Sequence, residues 1–457
     1  MTDKYDVYDP ATLELVAQVP ENTAEDTHAA ALRAQAALPS WQQNRTARRQ
    51  ALLAISSAIE DQLDPLGELL SREQGKPLRE ARQEFSVGAS LFRYYAGLEW
   101  DERIGLPDRD GRSVEVLNRP VGVVATITPW NFPISLLCVK LAPALMAGCT
   151  VLTKPSATTP ASTIALVEVM NKVLPEHVLQ VLTGSNREVN VALASTPLVN
   201  KLSFTGSTQV GVSLMQRAAE NVTRVTMELG GNDAALVLPD ADPEETARRI
   251  VASAFRNAGQ VCMAVKRVYV PDALHDTFVE AVMAEVNGLV LGHGMEAATT
   301  LGPMHNANQR DYVQGLVSAA ARQGATVLTG QQHCELPGYF HLPTVVTNAE
   351  QQMDIVREEQ FGTALPVVRY RNIAEALDLA NDSPFGLGAS IWTPDIDQAR
   401  SLAQQLQVGT VWINQHTVVE LDAPFGGWKQ SGLGRERGRW GLDAYLEPTT
   451  VNWREHN

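Results

Sequence analysis

Apolar residues in the first hundred positions recur at helical spacing. Ala, Leu and Ile alternate with charged residues through 26–38, 45–60 and 77–100, punctuated by Pro39 and Pro65, so helices are expected there. From Ser113 the pattern changes to short β-type runs, SVEVLNRP and then VGVVATIT. Up to about residue 238 such runs alternate with helical stretches. TVLTKP (150–155) precedes a helix at 161–173, VLQVLTG (178–184) one at 187–194, and NKLSFTG (200–206) one at 209–220, before RVTMEL (224–229). A second series starts near Ala234, with a helix at 243–258, the run KRVYV (266–270) and a helix at 273–287. Farther on, TVLTG (326–330), ALPVVRY (364–370) and TVWIN (410–414) read as strands, and 306–323, 373–380 and 395–406 as helices. Short apolar strands separated by helices predict an α/β protein with parallel, doubly wound sheets. No linker and no repeat of 20–50 residues separates the two series, so tightly packed domains with a cleft between them are expected. TTVNW (449–453) reads as a strand without a local partner, an edge of the kind that pairs with another subunit.

Composition narrows the class. A chain of 457 residues is too long for one hydrophobic core, and 44% hydrophobic with 19% charged residues is the balance of a globular protein. The net charge of −15 argues against nucleic acid and anionic membrane as partners. No export signal and no apolar run long enough to span a bilayer is visible, so a cytoplasmic location is expected. The four cysteines, Cys138, Cys149, Cys262 and Cys334, form no CxxC and no ligand-like spacing with the nine histidines. Neither a disulfide framework nor a metal site is therefore expected.

Two residues are candidates for chemistry on local grounds. Cys262, in RNAGQVCMAVKRVYV, follows a helix that gives way to a Gly-hinged loop, which exposes a sulfur and main-chain N–H groups. Read alone, the plainer reading of Cys262 is a small buried hydrophobe. Glu228, in MELGGNDA, closes a strand and precedes two glycines. Ligands of α/β sheets bind at the carboxyl ends of strands; the plainer reading is an exposed strand-end glutamate.

The strings ITPWNFP (127–133), KPS (154–156), FTGSTQVG (204–211), MELGG (227–231), GQVC (259–262), EEQFG (358–362) and PFGGWKQSGLGRE (424–436) resemble, in order, the signature set of the NAD(P)-dependent aldehyde dehydrogenase superfamily. The 34 residues from Glu228 to Cys262 and the 97 from Cys262 to Glu359 are similar to the spacing of its hydrolytic members. The resemblance spans nearly the whole chain. It implies a discontinuous Rossmann-like cofactor domain (1–103 with 121–230), a catalytic α/β domain (231–440) and a small β oligomerisation arm (104–120 with 441–457). It also implies Cys262 as nucleophile, Glu228 as the base for deacylation, and the Asn131 amide with the Cys262 N–H as oxyanion donors. NAD or NADP is the implied cofactor, although GxGxxG is absent. Gly206 and Ser207 at a helix N-terminus and the Trp130 indole would meet its pyrophosphate. Lys154 and Ser156 would lie by the adenosine ribose, Glu359 by the nicotinamide ribose, and Leu229 and Phe361 along the wall. Lys140 resembles a member of a proton relay, and as readily a structural ion-pair partner.

Departures set the finer expectations. Thr363 stands where EExFGP has proline, and Ala264 where some succinate-semialdehyde enzymes carry a second cysteine. Those enzymes hold an arginine where this chain has Val139, and betaine-type enzymes an aromatic; no arginine occurs in 129–143. Phe132, Leu136, Val139, Met263 and Phe425 then form an apolar entrance, which favours uncharged aliphatic or aromatic aldehydes. A semialdehyde dehydrogenase and a CoA-acylating enzyme are the alternatives. Ala157 replaces a glutamate common in NAD-selective relatives, so NADP is expected to compete with NAD. A homodimer or homotetramer is expected from the arm.

Overall fold

The computed structural model describes residues 3–454 apart from 186, 334 and 336, with the side chains of 108 and 109 also outside the described set. Cys334 and the arm's last residues, 455–457, thus lie outside it.

Two mixed sheets organise the chain. Among the described residues the first has six strands, in the order Gly432–Leu433, Arg224–Glu228, Lys201–Thr205, Val123–Ile127, Thr150–Lys154 and Leu179–Val181. All neighbours are parallel except the short Gly432–Leu433 edge. Its three central strands are buried at every position, which is why they read as unbroken apolar runs. Alternation splits them between two cores. Val124 and Val151 pack with the helices Arg45–Glu60, Leu78–Gly97, Ser135–Ala147 and Ala161–Asn171. Val123, Ala125 and Leu152 pack with Ala24–Gln42, Glu188–Ser195 and Thr208–Ala219 on the opposite face. Helices cover both faces of this sheet, as the pattern required.

Among the described residues the second sheet has seven strands, in the order Thr326–Thr329, Thr344–Ala349, Ala364–Tyr370, Val265–Pro271, Asp233–Val237, Gly388–Trp392 and Thr410–Ile413. Only Thr326–Thr329 runs antiparallel. The chain passes from one sheet to the other in four residues, Leu229 to Asn232, so the carboxyl end of Arg224–Glu228 faces the amino end of Asp233–Val237. No helix among the described residues is long and apolar enough to cross a membrane.

Five expectations need correction. The first residues form a hairpin, Lys4–Tyr8 with Leu15–Pro20, not helix. Pro39 lies inside Ala24–Gln42, where the buried Trp41 holds the last turn against the core despite the missing N–H. Pro65 sits in the first turn of Leu63–Gln74, where proline is tolerated. The terminal strand has a local partner: Leu446–Arg454 pairs antiparallel with Arg112–Pro120, which in turn pairs with Arg103–Arg109. The helix Pro243–Ala254 ends before Cys262's loop, and a tight turn, Arg256–Gly259, replaces its expected last residues.

Candidate active site

The carboxyl ends of the first sheet's strands converge on a cavity of about 220 Å³. Trp130 and Asn131 follow Val123–Ile127, Gly206 and Ser207 follow Lys201–Thr205, and Leu229 follows Arg224–Glu228; all five line it. Leu136, Cys262, Glu359 and Phe361 close it. Nine residues singled out from the sequence are thus brought together from five separate segments. Ser207 is the N-cap of Thr208–Ala219, its hydroxyl accepting from Val210 N at 3.4 Å, and it stays exposed at the helix end. A helix N-terminus with an exposed hydroxyl is suited to a phosphate.

The loop carrying Cys262 is fixed by amides. Asn257, Ala258 and Gly259 all have positive φ, and a Cβ on Gly259 would lie 2.2 Å from the Gly362 carbonyl, so only glycine serves there. The strain at Asn257 is offset by its side chain, which donates to the Asn131 carbonyl at 3.0 Å. Asn131 in turn donates to the Gln260 carbonyl at 2.9 Å, leaving its second amide N–H for another acceptor. Lys266 Nζ donates to the carbonyls of Val261 (2.6 Å) and Cys262 (2.7 Å). Burial pushes the Cys262 thiol up to about 12; Lys266 opposes this, while Glu359, Asp233 and Glu228 add to it.

Glu228 is buried, one of its carboxylate oxygens without a hydrogen-bond partner among the described residues. Burial first, then Glu436, holds its carboxyl well above the usual range, against the pull of Lys140 and Arg435. Lys140 pairs with Glu436 at 2.5 Å, both side chains buried. Glu359 accepts from Gly231 N at 3.1 Å and lies 3.7 Å from Lys266 Nζ; burial raises its pKa.

Other residues named from the sequence stand outside the cavity lining. Lys154 is buried at the end of its strand, its pKa lowered by burial to about 8 with Glu21 opposing. Ser156 contacts Thr158, whose hydroxyl meets His305 at 2.7 Å, and the His305 ring stacks on Trp130. Val139, three residues after Leu136 on the same helix Ser135–Ala147, is buried among core residues and does not line this cavity. Phe132 lies under two cations, with Lys76 Nζ 3.8 Å and Arg256 5.5 Å from the ring centroid. Phe425 pairs through its backbone with Glu436, and the Met263 carbonyl meets His416.

Sequence reasoning missed several supports. Lys76 is fully buried, pairs with Glu84 and donates to the Asn131 carbonyl at 2.7 Å. Lys266 was read only as part of a strand. Glu436 ended a quoted motif without a role. Each acts from another element, so local pattern carried no signal beyond charge inside an apolar stretch.

The chain matches the aldehyde dehydrogenase family over residues 1–451. It is 40% identical to the 3-sulfolactaldehyde dehydrogenase of Pseudomonas putida over 97% of this chain and 92% of that protein. It is 38% identical to the NADP(+) succinate-semialdehyde dehydrogenase GabD of Escherichia coli (strain K12), again over 97% and 92%. The crystal structure of betaine aldehyde dehydrogenase from Staphylococcus aureus in complex with NAD+ superposes with a TM-score of 0.96 at 35% identity, covering 99% of this chain and 92% of that one. The fold and cleft are those of an α/β oxidoreductase. The chain belongs to the aldehyde dehydrogenase family.

Proposed function

We propose that the protein oxidises an aldehyde to the carboxylic acid with NAD(P)+ through a thioester on Cys262. The observation that carries this is the meeting of Cys262, Asn131 and Glu359 on one cavity, with the proton-avid Glu228 buried nearby. The residues fit a nicotinamide dinucleotide: Ser207 exposed at a helix N-terminus, Trp130 along the cleft, Lys154 as a cation and Glu359 for ribose hydroxyls would hold it. NAD+ accompanies the Staphylococcus relative, and NADP(+) is in the name of the Escherichia one. When bound, the cofactor supplies the hydride acceptor.

The chain's own part is proton handling and charge. The resting thiol keeps its proton, so attack on the aldehyde carbon needs a base of raised basicity, which Glu228 is. The free N–H of Asn131 and the Cys262 main-chain N–H stabilise the oxyanion of the thiohemiacetal. Hydrolysis of the thioester then uses water from which Glu228 takes a proton. Loss of that base form as pH falls through its raised pKa slows turnover at a higher pH than a surface glutamate would. A buried base at this point favours water over CoA as acyl acceptor.

Cys262→Ala is expected to abolish NAD(P)H formation, followed by absorbance near 340 nm, with cofactor binding retained. Glu228→Gln is expected to accumulate a thioester visible by mass spectrometry. Wild-type turnover by Cys262→Ala sinks the reading.

The aldehyde is proposed to carry an anionic group at its far end, the semialdehyde alternative above. The 38–40% identical relatives are named for sulfolactaldehyde, glutarate semialdehyde and succinate semialdehyde. Val139 removed the cation expected on one helix, but Arg256, six residues before Cys262, lies over Phe132 without an ion pair within 4 Å among the described residues. Lys76 pairs with Glu84, whereas Arg256 donates to the Gln83 side-chain carbonyl at 3.4 Å and lies in the field of Glu80, which it shares with Lys76. Arg256→Gln should lower kcat/KM for succinate semialdehyde by about 10- to 100-fold, the worth of a charge-assisted contact, with much less change for butanal. A wild-type enzyme that prefers butanal would restore the uncharged reading.

A further inference from the structure

Asp233 and His416 do not line the cavity, yet they meet directly behind the nucleophile's loop. Asp233 opens the strand Asp233–Val237, five residues after Glu228, and its carboxylate is fully buried. One oxygen accepts from Gly388 N at 3.0 Å. The other faces His416 Nε2 at 3.5 Å and has no hydrogen-bond partner among the described residues. The His416 ring is also fully buried and packs 4.5 Å from the Trp412 ring. Its Nε2 lies 3.0 Å from the Met263 carbonyl, and its Nδ1 is buried with no partner among the described residues. Both acceptors within reach of the ring sit at Nε2, so the proton belongs there.

A carboxylate and an imidazole kept from water are costly unless the geometry uses them. Here they complete a pattern. Three successive carbonyls around the nucleophile are each held by a side-chain donor: Val261 and Cys262 by Lys266, and Met263 by His416. Ala264 N closes the turn onto the Val261 carbonyl at 3.2 Å. Lys266 secures the first half of that turn, and the second half depends on His416.

We propose that Asp233 and His416 are a positioning pair for Cys262: the carboxylate holds the imidazole with its proton on Nε2, and that N–H fixes the Met263 carbonyl and the turn presenting the sulfur. The inference rests on the reading of Cys262 as nucleophile. Neither residue touches substrate or cofactor in this role.

The test measures kcat, KM for aldehyde and NAD+, and the rate of Cys262 alkylation by iodoacetamide against pH, with circular dichroism to confirm folding. His416→Phe should lower kcat and the alkylation plateau on the order of 10- to 100-fold, as sub-ångström misplacement of a reacting group does, with KM for NAD+ within about twofold. His416→Gln, whose amide nitrogen reaches the same point, should recover most of the loss. Asp233→Asn keeps an acceptor for Gly388 but removes a negative charge that opposes the thiolate. Its alkylation midpoint should move to lower pH while the plateau falls, a combination that a space-filling role cannot give. Should His416→Phe not fold, Asp233→Asn and His416→Gln decide alone. Folded variants with wild-type kcat and an unmoved alkylation profile overturn the pair, as does a His416→Gln variant no better than His416→Phe. If Cys262→Ala still turns over, it is the nucleophile assignment that has failed.

Discussion

At the residue scale the cofactor end of the cleft gives the sharpest test. Lys154 is buried and its pKa is drawn down to about 8, so it is charged below that pH and neutral above it. Ala157 follows in KPSATTP and offers no carboxylate to repel a 2′-phosphate. Both cofactors should therefore be used near neutrality, and the NADP-to-NAD ratio of kcat/KM should fall as pH rises through about 8. A free-enzyme profile reports this, because kcat/KM follows groups of the unliganded enzyme. Ala157→Glu should depress NADP use far more than NAD use, since a new like charge near a partly desolvated phosphate is strongly unfavourable. Equal loss with both cofactors would assign the choice elsewhere. That Cys262 and Asn131 share a site was legible because each sits in a motif of fixed spacing, and both line the cavity. Lys76, Lys266 and Glu436 were not, because a buried cation or carboxylate reads from sequence as an ordinary charge.

At the element scale the junction Leu229 to Asn232 joins two sheets and two halves of the chemistry. Gly231 donates to Glu359, and a Cβ at Gly231 would lie 2.6 Å from the Cys262 carbonyl and 3.0 Å from Leu387. The crossing is too close for any side chain. Gly231→Ala must push the Cys262 carbonyl away from Lys266, so kcat should fall along with stability, by about 1–3 kcal/mol for overpacking. Denaturant unfolding beside kcat measures both; an unchanged kcat would mean that the loop shifts freely. Parallel strands were legible here because burial on both faces leaves continuous apolar runs such as VVATI and ALPVVRY. Gly388–Trp392, next to the edge strand Thr410–Ile413 of the second sheet, was missed because Gly-Ala-Ser opens it without a β-branched run. The hairpin Lys4–Tyr8 with Leu15–Pro20 was missed because its strands are short and each buries only one residue.

At the scale of the whole molecule, the question is what covers the small three-stranded sheet. Leu446–Arg454 stands at its edge, paired along nine residues with Arg112–Pro120 on one side only among the described residues. A long open edge is a template for another chain unless something covers it. The surface around it is not defended: Ile104, Leu106 and Trp453 on this sheet are exposed, as are Trp428, Leu433 and Trp440 on the neighbouring chain segment. Large apolar side chains left in water at a sheet edge are characteristic of a surface that associates. The sequence reading of TTVNW as a strand was right in type but wrong in needing a foreign partner for its first edge. The second edge is expected to take another copy, since a chain pairing with itself would give a closed, isologous contact. The protein is therefore expected to be at least a dimer at micromolar concentration. Light scattering should report a mass of two or more times the 49.7 kDa of the chain. Ending the chain after Leu446 should shift that mass toward the monomer while the two large sheets, whose cores contain no residue beyond Leu446, stay folded. A wild-type monomer, or a truncated chain with its assembly intact, would show that this edge is not where the copies meet.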